Sequence, residues 1–309
     1  MKDMTKKIKI IGLFLFVVLL SACVKDGEDL CPPEPRSLTG SAIIHVYAEK
    51  FRNKSQNPLD DREAVFTDRI THLRYFVYKN NELHDEGIID KFPKAAPSSY
   101  TFSLSDLEKG EYKMVLIANS AKKSLTGLAA KSANLLLTFP GCLDNEDYFT
   151  AVFPFSIKDD RNTEYEVGLM RTNGVIRYTF NNMPEEVSDI EVIMKNVYLE
   201  KWIDGDYKNI CEANMKYLIT PRKKQAWIDG EYVIGTFPTP TNEFSAFHIN
   251  LYRNGEPEPY MSRMVTEDLS VLRNQLIDIA VTFNNGELDF IVDLDSDWDG
   301  SSSGSVEIE

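Results

Sequence analysis

Between residues 173 and 286 of this chain a glycine follows Asn or Asp five times: Asn173-Gly174, Asp204-Gly205, Asp229-Gly230, Asn254-Gly255 and Asn285-Gly286. Both dipeptides tolerate positive φ, which a tight hairpin turn imposes at its two central positions when its twist matches the flanking strands. Five such pairs predict a chain that keeps folding back as antiparallel β. The first half carries the complementary signal. "AIIHVYA" (42 to 48), "ITHLRYFVYK" (70 to 79), "SYTFSL" (99 to 104) and "YKMVLIAN" (112 to 119) are rich in β-branched and aromatic residues and are bounded by turn formers. Asn80-Asn81 is placed to turn the second of these back into "ELHDEGII". Helical pattern is scarce, with "SAKKSLTGLAAKSANLL" (120 to 136) the best candidate. The polar stretch "SIKDDRNTE" (156 to 164) precedes a fresh alternation in "YEVGLM" and "GVIRYTF" and marks a domain boundary. The fold class expected is all-β, two tandem β-sandwich domains of about seven short strands each with few short helices. They span residues 38–158 and 159–309.

The start of the chain is of a different kind. Lys2, Lys6, Lys7 and Lys9 precede an apolar run from Ile10 to Leu20, 11 residues long. That is the pattern of a secretory signal, too short for a transmembrane helix, which needs about 20 apolar residues. Leu20-Ser21-Ala22-Cys23 is similar to the bacterial lipobox: an aliphatic residue, two small ones that fit a narrow protease site, then the cysteine whose thiol takes a diacylglycerol. Residues 1–22 are then a signal peptide cut between Ala22 and Cys23, Cys23 is the lipidation site, and residues 23–37 form a Pro-rich, charged tether. Several acyl chains on one residue hold stably where a single chain does not. The competing reading is an ordinary signal peptide with an incidental cysteine. The acidic run Lys25 to Asp29 resembles the export tag that takes lipoproteins of Bacteroidales to the cell surface, and it reads equally as a solvated tether.

Removing the signal leaves 30 basic against 47 acidic residues, a net charge of −17 compared with −14 for the whole chain. Such a chain repels nucleic acid, which binds basic patches. Cys31, Cys142 and Cys211 remain after lipidation, so at most one pair closes internally, and spacing does not choose it.

Candidate chemistry is sparse. "WIDGDY" at 202 and "WIDGEY" at 227 are near copies. They read either as hairpin turns flanked by aromatics, or as paired acids (Asp204, Asp229) and a sugar platform (Trp202, Trp227). His45, His72, His84 and His248 are scattered, without ligand-type neighbours. In "DLDSDWDG", Asp295, Asp297, Asp299 and Gly300 fit positions 1, 3, 5 and 6 of a calcium loop, but position 12 is Val306 where the bidentate Glu belongs. No His-Glu-x-x-His or phosphate loop is present. The expectation is a non-enzyme with no cofactor and no metal; two dispersed carboxylates acting as a glycosidase pair are the enzymatic alternative.

Taken together, several stretches resemble the minor fimbrial anchor lipoproteins of Bacteroidales, the FimB-like group. The lipid cysteine followed by an acidic pair and Cys-Pro is met by Cys23 and "EDLCPPEP" (28 to 35). The aromatic strand with its return is met by "ITHLRYFVYKNNELHDEGI" (70 to 88). The strand after a Leu-x-x-Gly-x-Tyr turn is met by Leu107, Gly110, Tyr112, Ala118 and Asn119. The opening of the second domain is met by Leu169, Arg171 and "GVIRYTF" (174 to 180). The resemblance implies two transthyretin-like, Greek-key sandwiches and a non-catalytic subunit on the cell surface. That subunit is tied to the outer membrane by its lipid and binds fimbrial stalk subunits through β-strand addition. Related stalk subunits are cut after an early strand by a trypsin-like protease, a cut that an anchor escapes. Arg52 and Lys54 lie just past the first strand, and a cut after Arg52 would leave Asn53 first, as in a stalk or tip subunit. The tail "GSSSGSVEIE" (300 to 309), with Val306 and Ile308 alternating with acids, is a possible donor strand or a frayed end. A surface glycan-binding lipoprotein, using Trp202, Trp227 and Trp298, is the alternative.

Overall fold

The computed structural model describes residues 39–48, 66–93, 99–120, 125–126, 135–139, 146–211, 215–220, 231–295 and 303–307. These are almost entirely β, with one four-residue helix, α1 (Phe66–Arg69). The first sandwich is built from β1 (Thr39–Ala48), β2 (Leu73–Lys79), β3 (Glu82–Ile89), β4 (Ser99–Glu108), β5 (Gly110–Ala118), β8 (Phe149–Ile157) and β9 (Asn162–Arg171). They run in the order β3-β2-β5-β8-β9-β1-β4. The strip folds over between β8 and β9, which pair only at Phe149↔Arg171 and Thr150↔Met170. Two layers result, β3-β2-β5-β8 over β4-β1-β9. The inward residues of both meet in one core, among them Ala42, Ile44 and Val46 of β1, Leu73 and Val77 of β2, and Met114 and Leu116 of β5.

The second sandwich comprises β10 (Val175–Asn181), β11 (Val187–Met194), β14 (Met215–Ile219), β15 (Glu231–Thr236), β16 (Ser245–Arg253), β17 (Met261–Leu269), β18 (Leu276–Asn284), β19 (Glu287–Asp295) and β20 (Ser303–Glu307). Its layers are β15-β10-β18-β19-β20 and β14-β11-β16-β17. Alternation again sets the faces: Ile176, Tyr178 and Phe180 of β10 point in against Ile190, Val192 and Met194 of β11.

The two halves match strand for strand. β4-β1-β9 and β15-β10-β18 share both order and sense, the central strand being antiparallel to the first neighbour and parallel to the second. β3-β2-β5-β8 corresponds in the same way to β14-β11-β16-β17. Each half also carries an inserted hairpin: β6 (Leu125–Thr126) with β7 (Leu136–Thr138), and β12 (Tyr198–Trp202) with β13 (Tyr207–Ile210). The hairpins join edge to edge through Glu200↔Thr138, Lys201↔Leu137 and Trp202↔Leu136 into a shared sheet, β13-β12-β7-β6. That sheet covers Phe76, Tyr78, Val115 and Ile117 on the outside of the first sandwich and makes a third core with Leu135, Phe139, Tyr148 and Ile203.

Several sequence expectations change here. The helix expected over 120–136 is not seen where that stretch is described, since Leu125–Thr126 and the following Leu136–Thr138 are strands. Its Leu125 and Leu135 serve the third core instead. The polar stretch 156–164 holds the β8–β9 turn, and β9 returns to pair with β1; the chain crosses to the second sandwich at Thr172–Gly174. Asp229-Gly230 lies outside the described residues; of the other four pairs, only Asn285-Gly286 is a two-residue turn with both φ values positive (50° and 87°), joining β18 to β19. Asn80-Asn81 does the same between β2 and β3, at 53° and 63°. Asn173-Gly174 is the link between the halves: a Cβ on Gly174 would run into the Val271 side chain and, at 2.9 Å, the Leu272 carbonyl.

Candidate strand-exchange site

β1 is the structural element on which a strand-exchange function would turn. It pairs antiparallel with β4 from Thr39↔Glu108 to Tyr47↔Ser99, and parallel with β9 from Ser41↔Asn162 to Ala48↔Leu169. Its inward side chains Ala42, Ile44 and Val46 are fully buried. Gly40 is required by close approach, since a Cβ there would be 2.5 Å from the Asp159 carbonyl oxygen. On the outer face His45 reaches both neighbours, with Nδ1 2.9 Å from Thr101 Oγ1 on β4 and Nε2 3.5 Å from Glu164 on β9. If β1 were absent, the gap would be a groove with strand backbone on both walls and an apolar floor. In the later part of the chain, β20 pairs among the described residues on one side only, with β19, from Ile291↔Glu307 to Asp295↔Ser303. One strand is thus held by two ladders and the other by one, and the second is the easier to release.

The junction between the halves is polar and closed. The Arg171 guanidinium donates to both Asp147 oxygens, at 2.7 and 2.8 Å, with both side chains over nine-tenths buried. Arg171 also lies over the Phe149 ring. Asn173 Nδ2 donates to the Phe237 carbonyl, and Gly174 N to that of Pro238. Tyr207 donates its hydroxyl to the Thr172 carbonyl, and burial raises its pKa. In the β12–β13 turn, Lys201 Nζ donates to the carbonyls of Trp202, Ile203 and Gly205, while burial, and secondarily Arg273, lowers its pKa. The same turn is tied to β5 by Lys113 and Asp204 at 2.7 Å.

These contacts redistribute the residues singled out by sequence. Ala22, Cys23, Arg52, Lys54, Trp227, Asp229, Trp298, Asp297, Asp299 and Gly300 lie outside the described residues. Trp202 is half-buried with Lys208 over its ring, and Asp204 is an ion-pair partner in a turn, so the first of the two near copies is a hairpin flanked by aromatics. His45, His72, His84 and His248 fall at separate places on strands or their ends. Among the described residues no group of three or more His, Cys, Asp or Glu is placed to hold a metal. Cys211 is disulfide-bonded, and the other cysteines lie outside the described residues. Val306 lies in β20 opposite Val292. Sequence reading missed the Arg171–Asp147 pair, whose members stand 24 positions apart and face each other only once β8 and β9 have folded back.

No family model matches the chain, and no curated protein does. Solved structures do match in fold. A candidate polysaccharide-binding protein from Bacteroides thetaiotaomicron aligns with a TM-score of 0.55 at 11% identity, over 87% of this chain and 98% of its own. A candidate adhesin from Bacteroides ovatus aligns at 0.52 and 9% identity, over 87% and 96%. The tip fimbrial protein Mfa3 from Porphyromonas gingivalis aligns at 0.50 and 11% identity, over 83% and 99%. The chain shares the tandem-sandwich fold of these proteins along most of its length.

Proposed function

We propose that this chain is a non-catalytic fimbrial subunit of anchor type, lipidated at Cys23, held at the outer membrane on the cell surface, and bound to fimbrial stalk subunits by β-strand addition. The observation that carries the reading is the placement of β1. This strand follows directly on the tether from the lipid cysteine, and it is paired on both flanks and buried. An uncut chain therefore keeps its own groove filled, accepts no donor strand there, and ends a polymer at its base. β20, held by one ladder, is the strand it has to offer. Main-chain pairing supplies affinity in such an exchange, and alternate side-chain pockets supply specificity. The fold shared with the fimbrial tip protein and the adhesin, and the lipobox-like start, agree with this role. That the sequence carries neither a His-Glu-x-x-His motif nor a phosphate loop is the ground for reading it as non-catalytic.

Mass spectrometry of the mature N-terminus tests the reading most directly. An intact acylated Cys23 is expected; a start at Asn53 would make the chain a processed stalk or tip subunit, the alternative that the likeness to a tip protein favours. Cys23→Ser is expected to release the protein from sedimenting envelopes. Gentle membrane extraction should bring down a stalk subunit with it, and normal, firmly attached fimbriae in a strain lacking the gene would refute the anchor role.

A further inference from the structure

The two matching halves differ at one strand position. β18 has β10 along one side and β19 along the other, from Leu276↔Asp295 to Asn284↔Glu287. Its counterpart β9 has β1 along one side, but on the other it meets β8 only at Met170 and Arg171. Among the described residues no strand lines Asn162–Leu169 where β19 lines β18. We infer that this edge is an acceptor for an extended segment of a partner protein in which Lys or Arg alternates with apolar residues, running antiparallel to β9 as β19 runs to β18.

The surroundings define that segment. A strand paired on one side turns every second N–H and C=O outward, so β9 offers a template. β8, across the opening, does not. Its Pro154 has no N–H, and the Tyr165 hydroxyl both donates to the Ser156 carbonyl (2.7 Å) and accepts from the Ser156 N–H (3.2 Å). An incoming strand is therefore directed to β9. On the inner face, burial along β9 falls off toward its start. Leu169 and Val167 are buried, while Tyr165 and Thr163 are half-exposed; Ile279 and Val281 of β18 are covered. Apolar side chains at alternate positions would complete that face beside Tyr165, Phe153 and Phe155. On the outer face Glu164 and Glu166 are exposed, two residues and so about 6.6 Å apart along the strand. No Lys or Arg occurs on β1 or β4, and Arg171, the one on β9, is buried with Asp147. Among the described residues the strands of this face carry no accessible Lys or Arg, and basic residues two apart on the incoming strand match the two carboxylates. A second copy of this acidic chain is a poor occupant. This edge is distinct from the β1 groove, and it stands whether or not the chain is an anchor.

The test uses the mature chain carrying Cys23→Ser and a fluorescent synthetic peptide, Thr-Lys-Val-Lys-Val-Lys-Val-Thr, followed by anisotropy and hydrogen exchange. Saturable binding is expected, with new amide protection on 162–169. Its Kd should rise about tenfold or more in the Glu164→Lys/Glu166→Lys variant, as repulsive charge at an interface predicts. Both residues are exposed, so an unchanged melting temperature in that variant is the check that it folds. A peptide with Glu for Lys should not bind. Equal binding of the acidic peptide, an unchanged Kd in the reversed variant, protection on another edge such as β3 or β15, or no binding up to the peptide's solubility limit each overturns the inference.

Discussion

The first sandwich and the second are built on the same seven-strand plan, yet their ends are treated differently. In the second, the plan is continued past its last strand: β18 turns at Asn285-Gly286 into β19, and β20 follows. In the first, the last strand β9 leads through Thr172–Gly174 straight into the next sandwich, and among the described residues its edge gains no such cover. One half is thus extended with strands of its own chain, while in the other no described strand lines the last edge, and the facing strand β8 carries a proline and has its Ser156 backbone held by a tyrosine hydroxyl. The lesson is that a duplicated topology does not dictate a duplicated surface. What the chain does after its last shared strand decides which edges remain to be filled.

Ion pairs sharpen that contrast and supply the largest expected effect. Arg171–Asp147 closes the end of the first sandwich in a buried setting, and Arg177–Asp278 joins β10 to β18 on a half-exposed face of the second. Arg171→Met takes the guanidinium away from a buried carboxylate and should cost about 3–5 kcal/mol by chemical denaturation. An Arg171→Met/Asp147→Leu double variant should recover much of it. Next comes the link itself. Gly174→Ala drives a methyl into Val271 and the Leu272 carbonyl, and overpacking of this kind should cost about 1–3 kcal/mol. If the halves were merely strung together, that loss would be absent. Tyr165→Phe removes the hydroxyl that holds both Ser156 backbone groups, with an expected loss of about 1 kcal/mol and faster hydrogen exchange at the Ser156 amide. The smallest effect belongs to Arg177→Leu, about 1 kcal/mol or less, because water reaches Asp278 when its partner is gone. Equal costs for Arg171→Met and Arg177→Leu would erase the contrast between the two pairs.

Much of the strand content was legible because alternation is a local property. The stretch "ELHDEGII" coincides with β3 and Asn80-Asn81 with its turn, since Asn accepts the left-handed conformation that both positions adopt. The correspondence of the halves was not legible. It lies in which strands neighbour which, and a buried position on β1 asks only for an apolar residue, as one on β10 does, so no shared sequence need survive. Asn173-Gly174 misled for a related reason: glycine was needed there for close approach to Val271, not for a hairpin, and the dipeptide is the same in both cases. The shared sheet was hidden because β6 and β7 are two and three residues long, below the length at which a period can be counted. Of the candidate exchange site, the strand β1 was visible as "AIIHVYA". Its place between β4 and β9 rests on pairings between residues far apart in the chain, such as Tyr47↔Ser99 and Ser41↔Asn162, which no local pattern records.

A pull on the residues ahead of Thr39 enters the fold along the axis of β1. Because that strand lies between two neighbours for most of its length, the traction is shared by both rows of backbone bonds as shear, so they must fail together. Peeling, in which bonds open singly, is available to β20, which among the described residues is paired with β19 alone, and denied to β1.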